Sequence, residues 1–178
     1  MNFEFLYIIQ HELQLLKKEC DNYIYNKANF KEYLAKVKLC IPSQSYGTRL
    51  EKFIIDIFGY TKVKNKIKRG DCKDKNNDHY EIKVSYLSKK DAFSIVQIRK
   101  QHNIQFYLLV FIEAELYKSY DDVKIRYFKV PSDILYAMKL GTAHGSKKDK
   151  HANKENRLTI PKDSDDLRTL EQYEIYAP

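Results

Sequence analysis

The sequence predicts an α/β (α+β) fold with a mixed central β-sheet flanked by helices. Three observations carry this expectation. Apolar residues recur at three- and four-residue steps through the first 58 positions, the helical period. After Gly59 the period changes, and Tyr80 to Tyr86 alternates strictly between two side-chain classes, as a strand does. Phe106 to Ile112 is a continuous apolar run, the pattern of a strand buried on both faces. Helices, then strands, then a helix and a strand suit a single layered domain.

In chain order, Leu6, Ile9, Leu13 and Leu16 predict an amphipathic helix over roughly residues 3–20. Phe30, Tyr33, Leu34 and Val37 predict a second, with Asn29 and Glu32 as a capping box and Pro42 as its end. Leu50, Phe53, Ile54, Ile57 and Phe58 mark a third, with Thr48 and Glu51 as another capping box and Gly59 as a left-handed stop. Tyr60 to Lys68 is expected to be extended, with its lysines on one side, and Gly70 to His79 a polar loop. Tyr80 to Tyr86 is the clearest strand. Phe93 to Arg99 fits strand or helix. Lys124 to Val130 is expected as a further strand and Ser132 to Leu140 as a short helix closed by Gly141. Residues 142–156 form a polar, Lys-rich loop before a short strand at Arg157 to Ile160, and the end is an acidic tail. No repeat or interdomain linker interrupts this order. The expected division is therefore one domain over 1–178: N-terminal helices 1–41, a core 43–130, and a C-terminal helix, basic loop and tail 131–178.

Composition narrows the function. The 178 residues carry 32 Lys and Arg against 24 Asp and Glu, a formal charge of +8. A hydrophobic share of 43% supports a packed core and argues against disorder. The basic surplus favours a polyanionic partner. No apolar run approaches the roughly 20 residues needed to cross a bilayer, so no membrane partner is expected. Nor does a basic segment precede the first apolar residues, which Glu4 interrupts. Cys20, Cys40 and Cys72 are odd in number and widely spaced, fitting neither a disulfide framework nor a zinc ribbon. These features together predict a reduced, cytoplasmic protein.

The chemistry concentrates in one strand. Glu81, Lys83 and Ser85 share a face, because side chains on a strand alternate. Tyr80, Ile82, Val84 and Tyr86 share the other and suit a core. Asp71 lies ten residues before Glu81. Antiparallel pairing of residues 60–70 with 80–86 would return it beside Glu81, and Glu51 on the preceding helix offers a third carboxylate. Two adjacent carboxylates make a hard-oxygen site suited to Mg²⁺. Such a metal polarises a phosphoryl oxygen and acidifies bound water. Lys83 is then placed to orient that water or to stabilise transition-state charge. Alone, Glu-Xaa-Lys is most simply a solvated strand face. The Gly70-Asp71 turn and the basic flanks favour the functional alternative.

Gly70-Asp71, a nine-residue interval, then Glu81-Ile82-Lys83 resembles the PD-(D/E)XK nuclease signature, with Gly70 where that signature usually has Pro. Ser45-Tyr46-Gly47-Thr48-Arg49-Leu50-Glu51 is similar to the helix start that adds an acidic residue to such sites. The likeness is nearest to small type II restriction endonucleases and covers roughly residues 43–130. Val96-Gln97-Ile98-Arg99 before a buried strand also resembles those enzymes, as does Gly141-Thr142-Ala143-His144-Gly145. The resemblance implies a restriction-endonuclease-like fold. It implies Asp71, Glu81 and the backbone carbonyl of Ile82 as Mg²⁺ ligands, Lys83 as catalytic lysine and Glu51 as a metal-site accessory. The reaction implied is hydrolysis of a DNA phosphodiester. That superfamily joins its third and fourth core strands by a crossover helix, whereas only Lys100 to Gln105 separates the candidate strands here. This is too short for a parallel connection.

Candidate DNA contacts follow. Arg reaches guanine and Gln reaches adenine, so Gln97 and Arg99 are candidates, on one face if 93–99 is a strand. Ser85 lies on the site face. Lys147, Lys148, Lys150, Lys154 and Arg157, with His144, are candidates for phosphate contact. A solvated strand edge and a solvated loop are the plain alternatives. Residues 61–90 hold ten basic and four acidic side chains, and 142–162 hold six and two. The basic surplus therefore brackets the proposed site and fills one loop.

The expected function is a Mg²⁺-dependent type II restriction endonuclease acting on double-stranded DNA at a specific sequence. Cutting both strands with one site per chain implies a homodimer, and a separate cognate methyltransferase would accompany it. The alternatives are a structure-specific nuclease (junction resolvase or repair nickase) and a non-catalytic DNA-binding protein with a nuclease-like core.

Overall fold

The computed structural model describes residues 31, 34, 43–64, 69–100, 102–113, 123–138, 140–142 and 156–177. The helix expected over 3–20 lies outside them. Of the second, Lys31 and Leu34 are helical and Leu34 is fully buried. By Cα proximity the chain forms two compact units, residues 1–48 with 113–124, and residues 49–112 with 125–178. Every site residue discussed below, from Glu51 onward, belongs to the second unit.

Helix α1 spans Ser43–Phe58. Its buried residues Leu50, Phe53 and Ile54 follow the helical period. The helix begins before Thr48, so the Thr48–Glu51 pair sits inside it rather than capping it. Gly59, at φ +64°, ends it as expected, with Tyr60 N–H donating to Ile55 O at 2.9 Å.

Among the described residues nine strands follow: β1 Thr61–Lys62, β2 Cys72–Lys73, β3 His79–Tyr86, β4 Ala92–Ile98, β5 Phe106–Glu113, β6 Lys124–Pro131, β7 Gly141–Thr142, β8 Asn156–Pro161 and β9 Glu174–Ile175. Helix α2 covers Ser132–Ala137 and α3 covers Asp165–Glu171. The fold is mixed α/β. A six-stranded sheet runs β1-β2-β3-β5-β6-β9 and a three-stranded sheet runs β4-β8-β7. In the large sheet β3 and β5 are parallel, while β1–β2, β2–β3 and β6–β9 are antiparallel.

Several expectations change. The strand expected over Tyr60 to Lys68 is reduced to Thr61–Lys62, with residues 65–68 outside the described set. Within the expected loop 70–79 a short strand forms instead. Cys72 pairs with Tyr80 and Lys73 with His79 around a tight Asp74–Asp78 turn. The hairpin that brings Asp71 back is therefore β2–β3, not residues 60–70 against 80–86. Phe93 to Arg99 resolves as strand β4, which pairs in the small sheet. The connection between the parallel neighbours β3 and β5 is thus the whole of residues 87–105, long enough for a crossover. The short Lys100 to Gln105 segment only joins one sheet to the other.

Helix α2 is shorter than the expected Ser132 to Leu140. The acidic end is structured: Ser164 caps α3, accepting the Leu167 N–H at 3.3 Å, and Leu167 and Leu170 are buried. The core packs Tyr107, Leu109 and Phe111 of β5 with Phe128 and Val130 of β6. Phe93, Ile95, Leu158 and Ile160 of the small sheet and Leu135, Leu167 and Leu170 of the helices complete it. Among the described residues no helix is long and apolar enough to cross a membrane.

Candidate active site

β2 ends its pairing at Tyr80, so on that edge β3 has no strand beside it at Ile82, while β5 covers the other edge. Asp71 takes that place. Its N–H donates to Tyr80 O at 2.8 Å, its C=O accepts from Val63 N–H at 2.9 Å, and its Oδ2 accepts the Ile82 N–H at 2.8 Å. A strand residue's N–H and C=O point to one edge, so the Ile82 carbonyl also lies on the Asp71 side. Gly70 makes the approach feasible. Its φ is +82°, and a Cβ there would stand 2.4 Å from Tyr80 O. Pro, with φ fixed near −65°, cannot adopt this turn. His79 Nδ1 bonds the Arg69 carbonyl at 2.9 Å, which holds the same turn from below.

On the adjoining face, Lys83 Nζ donates to Glu81 Oε1 at 2.8 Å. Glu81 is only 6% exposed. His102, in the β4–β5 connection, places Nδ1 4.0 Å from Glu81 Oε2. His102 is not among the site residues the sequence suggests. Only the β3–β5 crossover brings it here, and no spacing rule reports that. The expected polar face is not open. Glu81, Lys83 and Ser85 stand opposite Tyr107, Leu109 and Phe111 of β5, which belong to the core beneath the small sheet.

Burial and then the neighbouring Glu81 charge push the Asp71 carboxyl up to about 6, despite the Ile82 N–H and Lys83, which favour its ionised form. Glu51 adds to that repulsion and itself pairs with Lys62 at 3.0 Å. Desolvation raises the Tyr107 hydroxyl well above its usual range, with Tyr136 and Glu81 contributing. Cys72 is fully buried, and burial with the nearby carboxylates pushes its thiol up to about 12, so it is not a thiolate nucleophile.

Five expected site residues thus converge: Asp71, Glu81, Lys83, the Ile82 backbone and, through its charge, Glu51. Ser85, expected among the DNA contacts, is not at the surface. It is 4% exposed, and its Oγ accepts the Ser94 N–H at 2.8 Å, tying β3 to β4. Gln97 and Arg99 do not share a strand face. A bulge breaks the register between Ile95 and Ile98, Gln97 turns left-handed at φ +59°, and Arg99 lies beyond the strand. Arg157 is exposed on β8. His144, Lys147, Lys148, Lys150 and Lys154 lie outside the described residues.

No group of three or more His, Cys, Asp or Glu is placed to hold a metal among the described residues. Asp71, Glu81 and the Ile82 carbonyl make a smaller, all-oxygen set. That suits Mg²⁺, which usually takes one or two carboxylates and keeps several waters. The buried Glu81 carboxylate raises the proton affinity of Asp71, and such a pair of carboxylates fits a cation. Compared with protein-family models and with curated proteins, the chain matches none.

Proposed function

We propose that this chain is a Mg²⁺-dependent DNA endonuclease of the PD-(D/E)XK type, with a restriction-endonuclease-like fold and the activity of a cytoplasmic type II restriction enzyme. The observation that carries the reading is the seating of Asp71 on the free edge of β3 at Ile82, beside the buried Glu81–Lys83 pair. This joins the Gly70-Asp71 and Glu81-Ile82-Lys83 segments around one strand position.

Asp71, Glu81 and the Ile82 carbonyl would hold Mg²⁺. When bound, the ion supplies Lewis-acid polarisation of the phosphate and a more acidic water. The residues themselves do the rest. Lys83, fixed by Glu81, presents an ammonium that orients the attacking water and offsets charge growing on the phosphoryl oxygens. Water oxygen bonds to phosphorus, the P–O ester bond breaks, and the departing oxygen takes a proton. Glu51 keeps negative potential over the Asp71 side. The burial of Glu81 and Lys83 strengthens each of these charges relative to water. The working unit is a homodimer, because two scissile strands need two such sites.

Incubation of supercoiled plasmid with the protein and Mg²⁺ tests this. Wild type should yield discrete linear fragments, whereas Lys83→Ala and Asp71→Ala should leave the plasmid intact. An inert wild type across varied DNA, or fully active variants, would sink the proposal. Cutting confined to branched substrates would instead favour the structure-specific alternative.

A further inference from the structure

We propose that the outer face of the small sheet reads base edges in the major groove of duplex DNA, with Arg157 and Gln97 as the reading residues. The inference rests on the nuclease reading for its purpose, but on separate residues for its evidence. The sheet's inner positions, Phe93, Ile95, Leu158 and Ile160, are core. The alternate positions therefore point outward. They are Ser94, Val96, Arg157 and Thr159, and this set contains no acid. Val96 is 46% exposed, and among the described residues the only other exposed large hydrophobic is Tyr176.

Two features of that face are built rather than incidental. Arg157 Nε donates to Ser94 Oγ at 2.9 Å, which fixes the guanidinium plane and uses one of its five donors. Gln97 holds φ +59° at the bulge, a left-handed conformation that a non-Gly side chain enters at a cost. The bulge leaves Val96 and Gln97, consecutive residues, both exposed. A fixed arginine fork and an outward glutamine amide are the donor and acceptor sets that pair with guanine and adenine edges. A two-stranded β-ribbon such as the β4–β8 pair enters the major groove.

Charge matches the occupant. The described segments 87–100, 141–142 and 156–163, which form and flank the small sheet, hold six basic against two acidic side chains. The face is also wired to the site. Arg157 bonds Ser94, whose N–H bonds Ser85 Oγ, two residues from Lys83 on β3.

The test uses the full chain and a fluorescein-labelled mixed-sequence duplex, without divalent metal, followed by sequencing of plasmid ends cut with Mg²⁺. Gln97→Gly keeps the left-handed bulge while removing the amide, and Arg157→Lys keeps the charge while removing the fork. Each should weaken binding on the order of tenfold or relax the cut sequence at one position. Unchanged binding and unchanged cut sites in both variants would overturn the inference while leaving the nuclease reading intact. Full rescue by Arg157→Lys, with Gln97→Gly silent, would also overturn it, reducing the face to phosphate contact. Wild type that binds duplex, loses binding in both variants and never cuts would uphold the inference and remove the nuclease.

Discussion

Asp71 accepts the Ile82 N–H through Oδ2 at 2.8 Å, filling the edge position beside β3 that β2 is too short to cover. The position, not the bond, has a thermodynamic cost. Burial and Glu81 hold the Asp71 carboxyl at about 6 in the fold, against an ordinary 3.8. A carboxyl raised in the folded state makes the fold bind protons more tightly. Metal-free stability should therefore rise as pH falls through 6, reach its full gain below 3.8, and be lowest from this group above 6. Asp71→Asn keeps an acceptor for Ile82 and removes the charge. It should stabilise the metal-free protein at pH 8 by on the order of 2 kcal/mol and flatten the pH 4–7 slope. Urea unfolding in EDTA at several pH values measures both. Added Mg²⁺ should stabilise wild type at pH 8 but not Asp71→Asn.

Gly70 is the second lever on the same turn. Gly70→Ala faces a left-handed φ and a Cβ driven against the Tyr80 carbonyl. The turn must shift, which moves Asp71 off Ile82. A loss of at least about 2 kcal/mol is expected, read as a lower urea midpoint. Gly59→Ala meets no neighbour within 4 Å, and its cost is confined to the strained φ of +64°. It should therefore be milder, on the order of 1 kcal/mol.

The legibility of this fold follows from how local each signal is. The alternation of Tyr80 to Tyr86 and the apolar run Phe106 to Ile112 are complete within one strand, and both strands stand where those patterns put them. β4 was ambiguous because its bulge at Val96 and Gln97 shifts the two-residue phase midway. The strand at Cys72–Lys73 is too short to show a period, so the hairpin returning Asp71 was assigned to the wrong residues. At the C-terminus the acids masked a usable signal, since Ser164 before Asp165, Asp166 and Leu167 is a helix start. Within the candidate site, Asp71, Glu81 and Lys83 were legible from spacing. Ser85 was misassigned because alternation says which residues share a face but not what covers it. His102 depended on a crossover, which only the tertiary structure supplies.

The structured C-terminus gives a third expectation. Arg126 on β6 holds Glu174 of β9 at 2.8 and 2.6 Å and Glu171 of α3 at 3.0 Å. The Arg126 guanidinium keeps the Glu174 carboxyl below its ordinary 4.5. A carboxyl depressed in the fold contributes stability above its unfolded value and loses it as pH falls through the folded one. Arg126→Ala should thus cost about 1 kcal/mol near neutrality, with the difference from wild type shrinking as pH falls through the depressed Glu174 value. Amide exchange of Lys129, which donates to Tyr173 O at 2.9 Å, should quicken in the variant.

The Glu81–Lys83 pair decides how the cleavage test is to be interpreted. With side chains 8% and 15% exposed, both charges are largely withdrawn from water. Removing one partner of such a pair leaves the other charge buried, which typically costs about 3 kcal/mol, whereas replacing both costs far less. Lys83→Met should therefore lower stability as well as activity. Adding Glu81→Gln should restore much of the stability, because the stranded carboxylate is gone, and should leave cleavage abolished. Urea midpoints for both singles and the double close the cycle. Restored folding with absent cleavage would assign the Glu81–Lys83 pair a chemical role rather than a packing one. Cleavage returning together with stability in the double would assign the single's defect to folding and remove Lys83 from the chemistry.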